Sequence, residues 1–455
     1  MNILKIFITV FYVVSLTACN QTKAPTQNNS EKPAIPLTMV KGKVTSAGIF
    51  SYYLPKSYST TQKLPIIFIF DPHGDGNFPL NKYFPFAEQY SFILVASNVS
   101  KNGLQQNQLE GIIKQFFSKV SESITYASNR IYVMGFSGGA RVASIAVVEQ
   151  PGVKGMILCG GGLAFDRLPQ GMHPSVLSFA GREDFNMVEL MNLDTLLTET
   201  NLRNQLLIFN GHHQWPDSLS MEDAFFWTLF NEMKDSIIPV NDTLIDRFLT
   251  LNNQKLKIEK NVFLKYLLLR KIVAFADGLT DVEKQRLQLK TIEHSRLYKQ
   301  YLKNFLQTIS KEQQQEQSLV QAMGSQSFEW WKHTIAKLSQ DTGKATIAAK
   351  SHLRILNYLS LAAYMQCDHT LKSNQDNIAG TFIGLYQLID PKNSEGYYME
   401  AQLAMRKNNI PATIIALKKA VDLGFDDFNR MQNEQDFARL YNNPDFMKLL
   451  DKIRH

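Results

Sequence analysis

Tyr132-Val-Met-Gly-Phe-Ser-Gly-Gly-Ala140 reads as a strand that turns sharply into a helix. Ile131 to Met134 is an apolar run of the length and composition of a buried strand. Gly138, Gly139, Ala140, Ala143 and Ser144 open a helix whose small residues allow close packing. Between the two stands Gly135-Phe-Ser-Gly-Gly139, a Gly-x-Ser-x-Gly pattern. Such a turn holds its serine at the strand end and strains the serine's backbone, so neighbours without a Cβ are needed. Three fixed positions are a common coincidence on their own. Strand, turn and helix in the required order make the reading specific.

Outward from this stretch, β-rich runs alternate with helical patterns from Leu37 to about Lys234, as in βαβ units around a mostly parallel sheet. The expected strands are Met39 to Val44, Ile49 to Leu54, Pro65 to Phe70, Phe92 to Ala96, Arg130 to Gly135, Gly155 to Cys159, Ser175 to Ala180 and Gln205 to Phe209. Leu109, Ile112, Ile113, Phe116, Phe117 and Val120 recur at helical spacing and offer one apolar face to such a sheet. Further helices are expected near Gly138 to Val148 and Met221 to Met233. After Pro239 the chain turns Leu-, Lys- and Gln-rich with helical periodicity to its end, so the domain boundary is set at Val240 to Thr243. The expected architecture is a doubly wound α/β domain over residues 37–240, followed by an all-α domain over 241–455.

A serine hydroxyl is a weak nucleophile at neutral pH and needs a histidine base oriented by a carboxylate. Gly181-Arg-Glu-Asp-Phe-Asn186 follows the Ser175 to Ala180 strand and offers Glu183 and Asp184. The alternative for Asp184 is the N-cap of a helix over Phe185 to Leu197. Asn210-Gly-His-His-Gln-Trp-Pro216 follows the last strand and offers His212 and His213. Both segments lie just past strand ends, on the same side of a parallel sheet as Ser137. One oxyanion donor should be the amide of Gly138, immediately after the nucleophile.

With these elements in order, residues 37–234 resemble the α/β-hydrolase superfamily, nearest its polyhydroxybutyrate depolymerase-like, feruloyl esterase-like and dienelactone hydrolase-like branch. His213-Gln-Trp-Pro216 resembles the His-x-Trp-Pro that ends the catalytic module there, which favours His213 as base, though His212 stands where the family carries a small residue. Gly181-x-x-Asp184 resembles the acid's setting and favours Asp184 over Glu183. Asp71-Pro-His-Gly-Asp-Gly-Asn77 resembles the His-Gly loop of lipases and esterases, so Gly74 or Asp75 would be the second oxyanion donor, with His73 bracing the loop. The resemblance implies a Ser137–His213–Asp184 triad and an acyl-enzyme route to ester hydrolysis on a small-molecule or polymer-linked ester. A peptidase or amidase using the same residues stays open, as does an interaction module with weak catalysis.

At the N-terminus, Lys5, the apolar run Ile6 to Leu16 and Leu16-Thr-Ala-Cys19 read as an export signal too short to span a bilayer. Leu-Thr-Ala-Cys resembles the lipobox of bacterial lipoproteins, which implies removal of residues 1–18, lipid on Cys19 and membrane attachment in the cell envelope. The alternative is an ordinary secretory peptide. Asn20 follows the cysteine in place of the Asp that resembles an inner-membrane retention signal, which points to the outer membrane. Polar residues 19–36 suit a flexible tether.

Residues 394–455 resemble tetratricopeptide-type helix pairs, with an irregular helical bundle as the alternative. A protein or glycan is the partner such a surface would take. Residues 1–240 hold 18 basic and 18 acidic side chains, so the net +7 falls in the helical half. It carries no aromatic-interleaved basic stripe, and no nucleic-acid partner is expected. No Gly-x-x-x-x-Gly-Lys-Ser/Thr, Cys-x-x-Cys or His-Glu-x-x-His occurs, so no cofactor or metal is expected. Cys159 and Cys367 are expected as buried free thiols, with a disulfide as the alternative. Trp330-Trp331 and Phe225-Phe226-Trp227 are expected in the core, with carbohydrate stacking as the alternative.

Overall fold

The computed structural model describes residues 40–200 and 202–454. The export signal, Cys19 and the tether lie outside the described residues. A mixed sheet is built from β1 (Thr45–Ala47), β2 (Phe50–Tyr53), β3 (Ile66–Phe70), β4 (Ile93–Ser97), β5 (Ile131–Phe136), β6 (Val153–Cys159), β7 (Ser175–Gly181) and β8 (Asn204–Phe209). Its order among the described residues is β1-β2-β4-β3-β5-β6-β7-β8. β1 and β2 pair antiparallel, and β2 runs antiparallel to β4; all later pairings are parallel. The central strands are apolar and buried throughout, as in Ile66-Ile-Phe-Ile-Phe70, because helices cover both faces of a parallel sheet. The expected strand over 39–44 is corrected: Lys41 makes only an isolated bridge to Leu54, and regular pairing starts at Thr45.

Five helices belong to the sheet: α1 (Asn77–Tyr90), α2 (Gln106–Ser123), α3 (Gly138–Glu149), α4 (Met187–Thr198) and α5 (Ser218–Lys234). α1 has no counterpart among the expected helices, because Pro79 and Pro85 disrupt its pattern. Pro79 falls in the first turn, where no amide bond is lost, and Pro85 lies on the exposed side. Leu80, Tyr83 and Ala87 still bury one face.

The composition changes at Val240–Thr243, and there the Asn241 side chain caps the next helix, accepting from the Leu244 amide. Packing does not change there. α6 (Asp242–Ile258) and α7 (Val262–Ala276) send Ile245, Phe248 and Phe275 into one apolar cluster with Trp227 and Phe230 of α5. The described residues form a single compact unit. Beyond follow α8 (Glu283–His294), α9 (Arg296–Ala322), α10 (Phe328–Ser339), α11 (Ile347–Lys372), α12 (Asp376–Ile389), α13 (Ser394–Arg406) and α14 (Ile410–Asp422). Phe225, Phe226, Trp227 and Trp331 are buried in cores, while Trp330 is 38% exposed and meets Trp331 edge-on. Cys159 and Cys367 are free and buried. No helix among the described residues is long and apolar enough to cross a membrane.

On α9, Glu316 Oε1 is buried without a hydrogen-bond partner among the described residues. Burial, and then the neighbouring Glu312 carboxylate, push its carboxyl up to about 8. Because the folded state holds this proton more tightly than the unfolded chain, the associated stability is complete below pH 4.5 and is lost as pH rises through 8. Glu316→Gln keeps the neutral shape. At pH 9 the variant is expected to be more stable than the wild type by ~1–3 kcal/mol, with the difference vanishing below pH 5. Urea unfolding at both pH values measures this; parallel stability profiles would contradict it.

Candidate active site

Along the sheet, the chain passes from β4 on one side of β3 to β5 on the other. The loops after β3 and β5 therefore open a crevice at the carboxyl ends of the strands, where open α/β sheets bind ligands. Ser137 stands at that end of β5 with φ 52° and ψ −120°, a backbone region that costs a non-glycine residue ~1–3 kcal/mol. The approach around it is too close for side chains: a Cβ on Gly135 would lie 2.0 Å from the Gly139 carbonyl oxygen, and one on Gly139 would lie 2.0 Å from that of Phe70. Behind the serine, its N–H donates to the Cys159 carbonyl at 2.8 Å, and burial pushes the Cys159 thiol well above its ordinary pKa.

His213 Nε2 lies 3.0 Å from Ser137 Oγ, and its Nδ1 lies 2.9 Å from Asp184 Oδ1. A carboxylate only accepts, so the proton of the second contact sits on Nδ1 and Nε2 turns its lone pair toward the serine hydroxyl. The imidazole packs at a tilt against both Phe136 and Phe185, with ring centroids at 4.7 and 4.3 Å. Asp184 is fully buried. Its Oδ1 also accepts from the Asn186 amide at 2.8 Å, so it shapes the turn entering α4 as well as orienting the histidine. The neighbouring candidates do not join this line: Glu183 pairs with Lys350, and His212 is exposed, with no side-chain hydrogen bond among the described residues.

The Trp-Pro that follows His213 anchors its loop. Trp215 Nε1 donates to Asp71 Oδ2 at 2.9 Å, and the Tyr83 hydroxyl donates to the Pro216 carbonyl at 2.7 Å. Asp71 Oδ1 accepts from the His73 amide at 2.8 Å, so the buried Asp71, more than the exposed His73 ring, braces the loop after β3.

Of the expected oxyanion donors, Gly138 is the first residue of α3, where helix amides lack intrahelical partners. The Gly74 amide is committed to the Asp71 carbonyl at 3.2 Å. The Asp75 amide has no partner among the described residues, and the Asp75 carboxylate accepts from the amides of Asn77 and Phe78 at the start of α1.

Sequence reading missed Asn102, whose Oδ1 would lie 1.9 Å from a Cβ on Gly138. A side chain at position 138 would have to push the exposed Asn102 side chain aside, and the Asn102 backbone N–H donates to the Pro72 carbonyl at 2.8 Å. No motif marks it, because it reaches the site from the loop after β4.

The strand order, the parallel core and the strained serine between β5 and α3 agree. The fold is that of the α/β-hydrolases. Among solved structures, the chain is similar to the S-formylglutathione hydrolase of Staphylococcus aureus, 13% identical over 40% of this chain and 89% of its own, TM-score 0.34. An esterase of Pyrobaculum calidifontis is 12% identical over 44% of this chain and 83% of its own, TM-score 0.33. The feruloyl esterase module of Clostridium thermocellum is 16% identical over 40% and 85%, TM-score 0.34. No protein-family model and no curated protein matches the chain.

Proposed function

We propose that the chain is a serine hydrolase that cleaves carboxylic esters, with Ser137 as nucleophile, His213 as base and Asp184 as its orienting acid. The hydrogen-bonded line from Ser137 through His213 to Asp184, at 3.0 and 2.9 Å, carries this reading. Ser137 Oγ attacks the carbonyl carbon as its proton passes to His213 Nε2, and buried Asp184 stabilises the imidazolium. The amides of Gly138 and Asp75 receive the developing oxyanion, each such donor being worth about 3 kcal/mol. The tetrahedral adduct collapses to an acyl-enzyme as His213 protonates the leaving alcohol. Water then repeats the sequence and releases the acid. Lys5, the apolar run and Leu16-Thr-Ala-Cys19 support export and lipid attachment at Cys19, which would tether the enzyme in the bacterial cell envelope.

A fluorophosphonate probe tests the assignment. The wild-type protein should take up one probe, mapped to Ser137 by peptide mass spectrometry, and should turn over a short-chain aryl ester. An adduct on another serine, or no adduct and no turnover, would overturn the proposal.

A further inference from the structure

The acid loop 182–185 is held from two sides. Toward the sheet, the Arg182 and Glu183 amides donate to the carbonyls of Phe209 and Gly211, both at 2.9 Å, which ties the loop to the segment carrying His213. Toward the helical half, the carbonyls of the same two residues accept from α11: Arg354 Nη1 donates to Arg182 O at 2.7 Å, and Asn357 Nδ2 donates to Glu183 O at 2.8 Å. Lys350 pairs with the Glu183 carboxylate, and Tyr358 backs Phe185 at 6.2 Å, against which His213 in turn packs at a tilt. Residues 350, 354, 357 and 358 follow the spacing of a single helical face. Arg354 is itself fixed: it is 1% exposed and forks onto Glu312 of α9 at 2.7 and 2.6 Å.

From this arrangement we infer that α11 belongs to the catalytic machinery: Lys350, Arg354 and Asn357 are positioning residues that hold the acid loop where Asp184 meets His213. In a bare hydrolase domain these loop carbonyls would face water and could drift with it; here directional donors from buried Arg354 and half-buried Asn357 replace the water. Misplacing a catalytic group by about 1 Å can cost on the order of 10²-fold in rate. The inference rests on the hydrolase reading.

The test compares kcat and KM for an aryl ester, the rate of fluorophosphonate labelling and thermal unfolding. Arg354→Met combined with Glu312→Leu removes the fork without stranding a buried charge. It is expected to lower kcat and the labelling rate about 10- to 100-fold with KM within about twofold. Asn357→Leu leaves every ion pair in place and guards against misfolding of the double variant; it should show the same pattern at about threefold or more. Arg354→Lys should recover part of the loss by keeping a donor. Wild-type kcat and labelling in Asn357→Leu and the double variant, or a rise in KM with kcat kept, would overturn the inference while leaving the hydrolase reading intact. A wild-type protein inert to both probe and ester would overturn the hydrolase reading and this inference with it.

Discussion

Replacing Ser137 with alanine is expected to lower kcat for an aryl ester on the order of 10⁵- to 10⁶-fold, with KM little changed. The bond-making oxygen is lost while the crevice and the amides of Gly138 and Asp75 remain. His213→Ala should cost about as much, and the double variant no more than either single one, because members of a nucleophilic relay fail together. His212→Ala is the informative control. Its ring does not make the 3.0 Å approach to Ser137 that His213 makes, so a loss under about tenfold is expected. Initial rates at known protein concentration measure all four. A Ser137→Ala protein that keeps a tenth of wild-type activity, or a His212→Ala protein as inactive as His213→Ala, would refute the assignment.

Asp184→Asn should cost about 10⁴-fold in kcat. Asp184 Oδ1 serves two donors at once, His213 Nδ1 at 2.9 Å and the Asn186 amide at 2.8 Å. A neutral amide cannot stabilise the imidazolium, and any rotamer that turns its NH₂ toward His213 favours the wrong tautomer. The fold should survive, since the Asn oxygen can keep the turn into α4, and thermal unfolding checks this. Glu183→Gln separates the two carboxylates: its partner is Lys350, not the histidine, so a loss of about tenfold or less is expected. Equal losses from the two variants would remove Asp184 from the relay.

Legibility differed between kinds of element. The central strands were readable because both faces of a parallel sheet are buried, which writes them as unbroken apolar runs such as Ile66-Ile-Phe-Ile-Phe70. The first edge strand was misplaced by several residues, since a short three-residue edge leaves little pattern. α1 escaped notice because Pro85 stands in its interior, where proline ordinarily breaks a helix, and only the structure places Pro85 and the residue whose carbonyl it leaves free, Asn81, on the exposed side.

What the sequence determined by itself is the succession of central strands along the chain, the tight turn at Ser137 and the placement of Asp184 and His213 just past strand ends. Strand periodicity and glycine at a sterically closed turn are local physics, and parallel topology then sends those loops to one side of the sheet. What the tertiary structure decided is which neighbours meet. It turned His213 rather than His212 to the serine and Asp184 rather than Glu183 to the histidine, tied Gly74 into a turn, and set Asn102 on Gly138. It also brought α11 onto the acid loop across more than 160 residues of chain. Contacts of that separation rest on how distant loops and helices satisfy each other's carbonyls and charges, and no local pattern of residues encodes them.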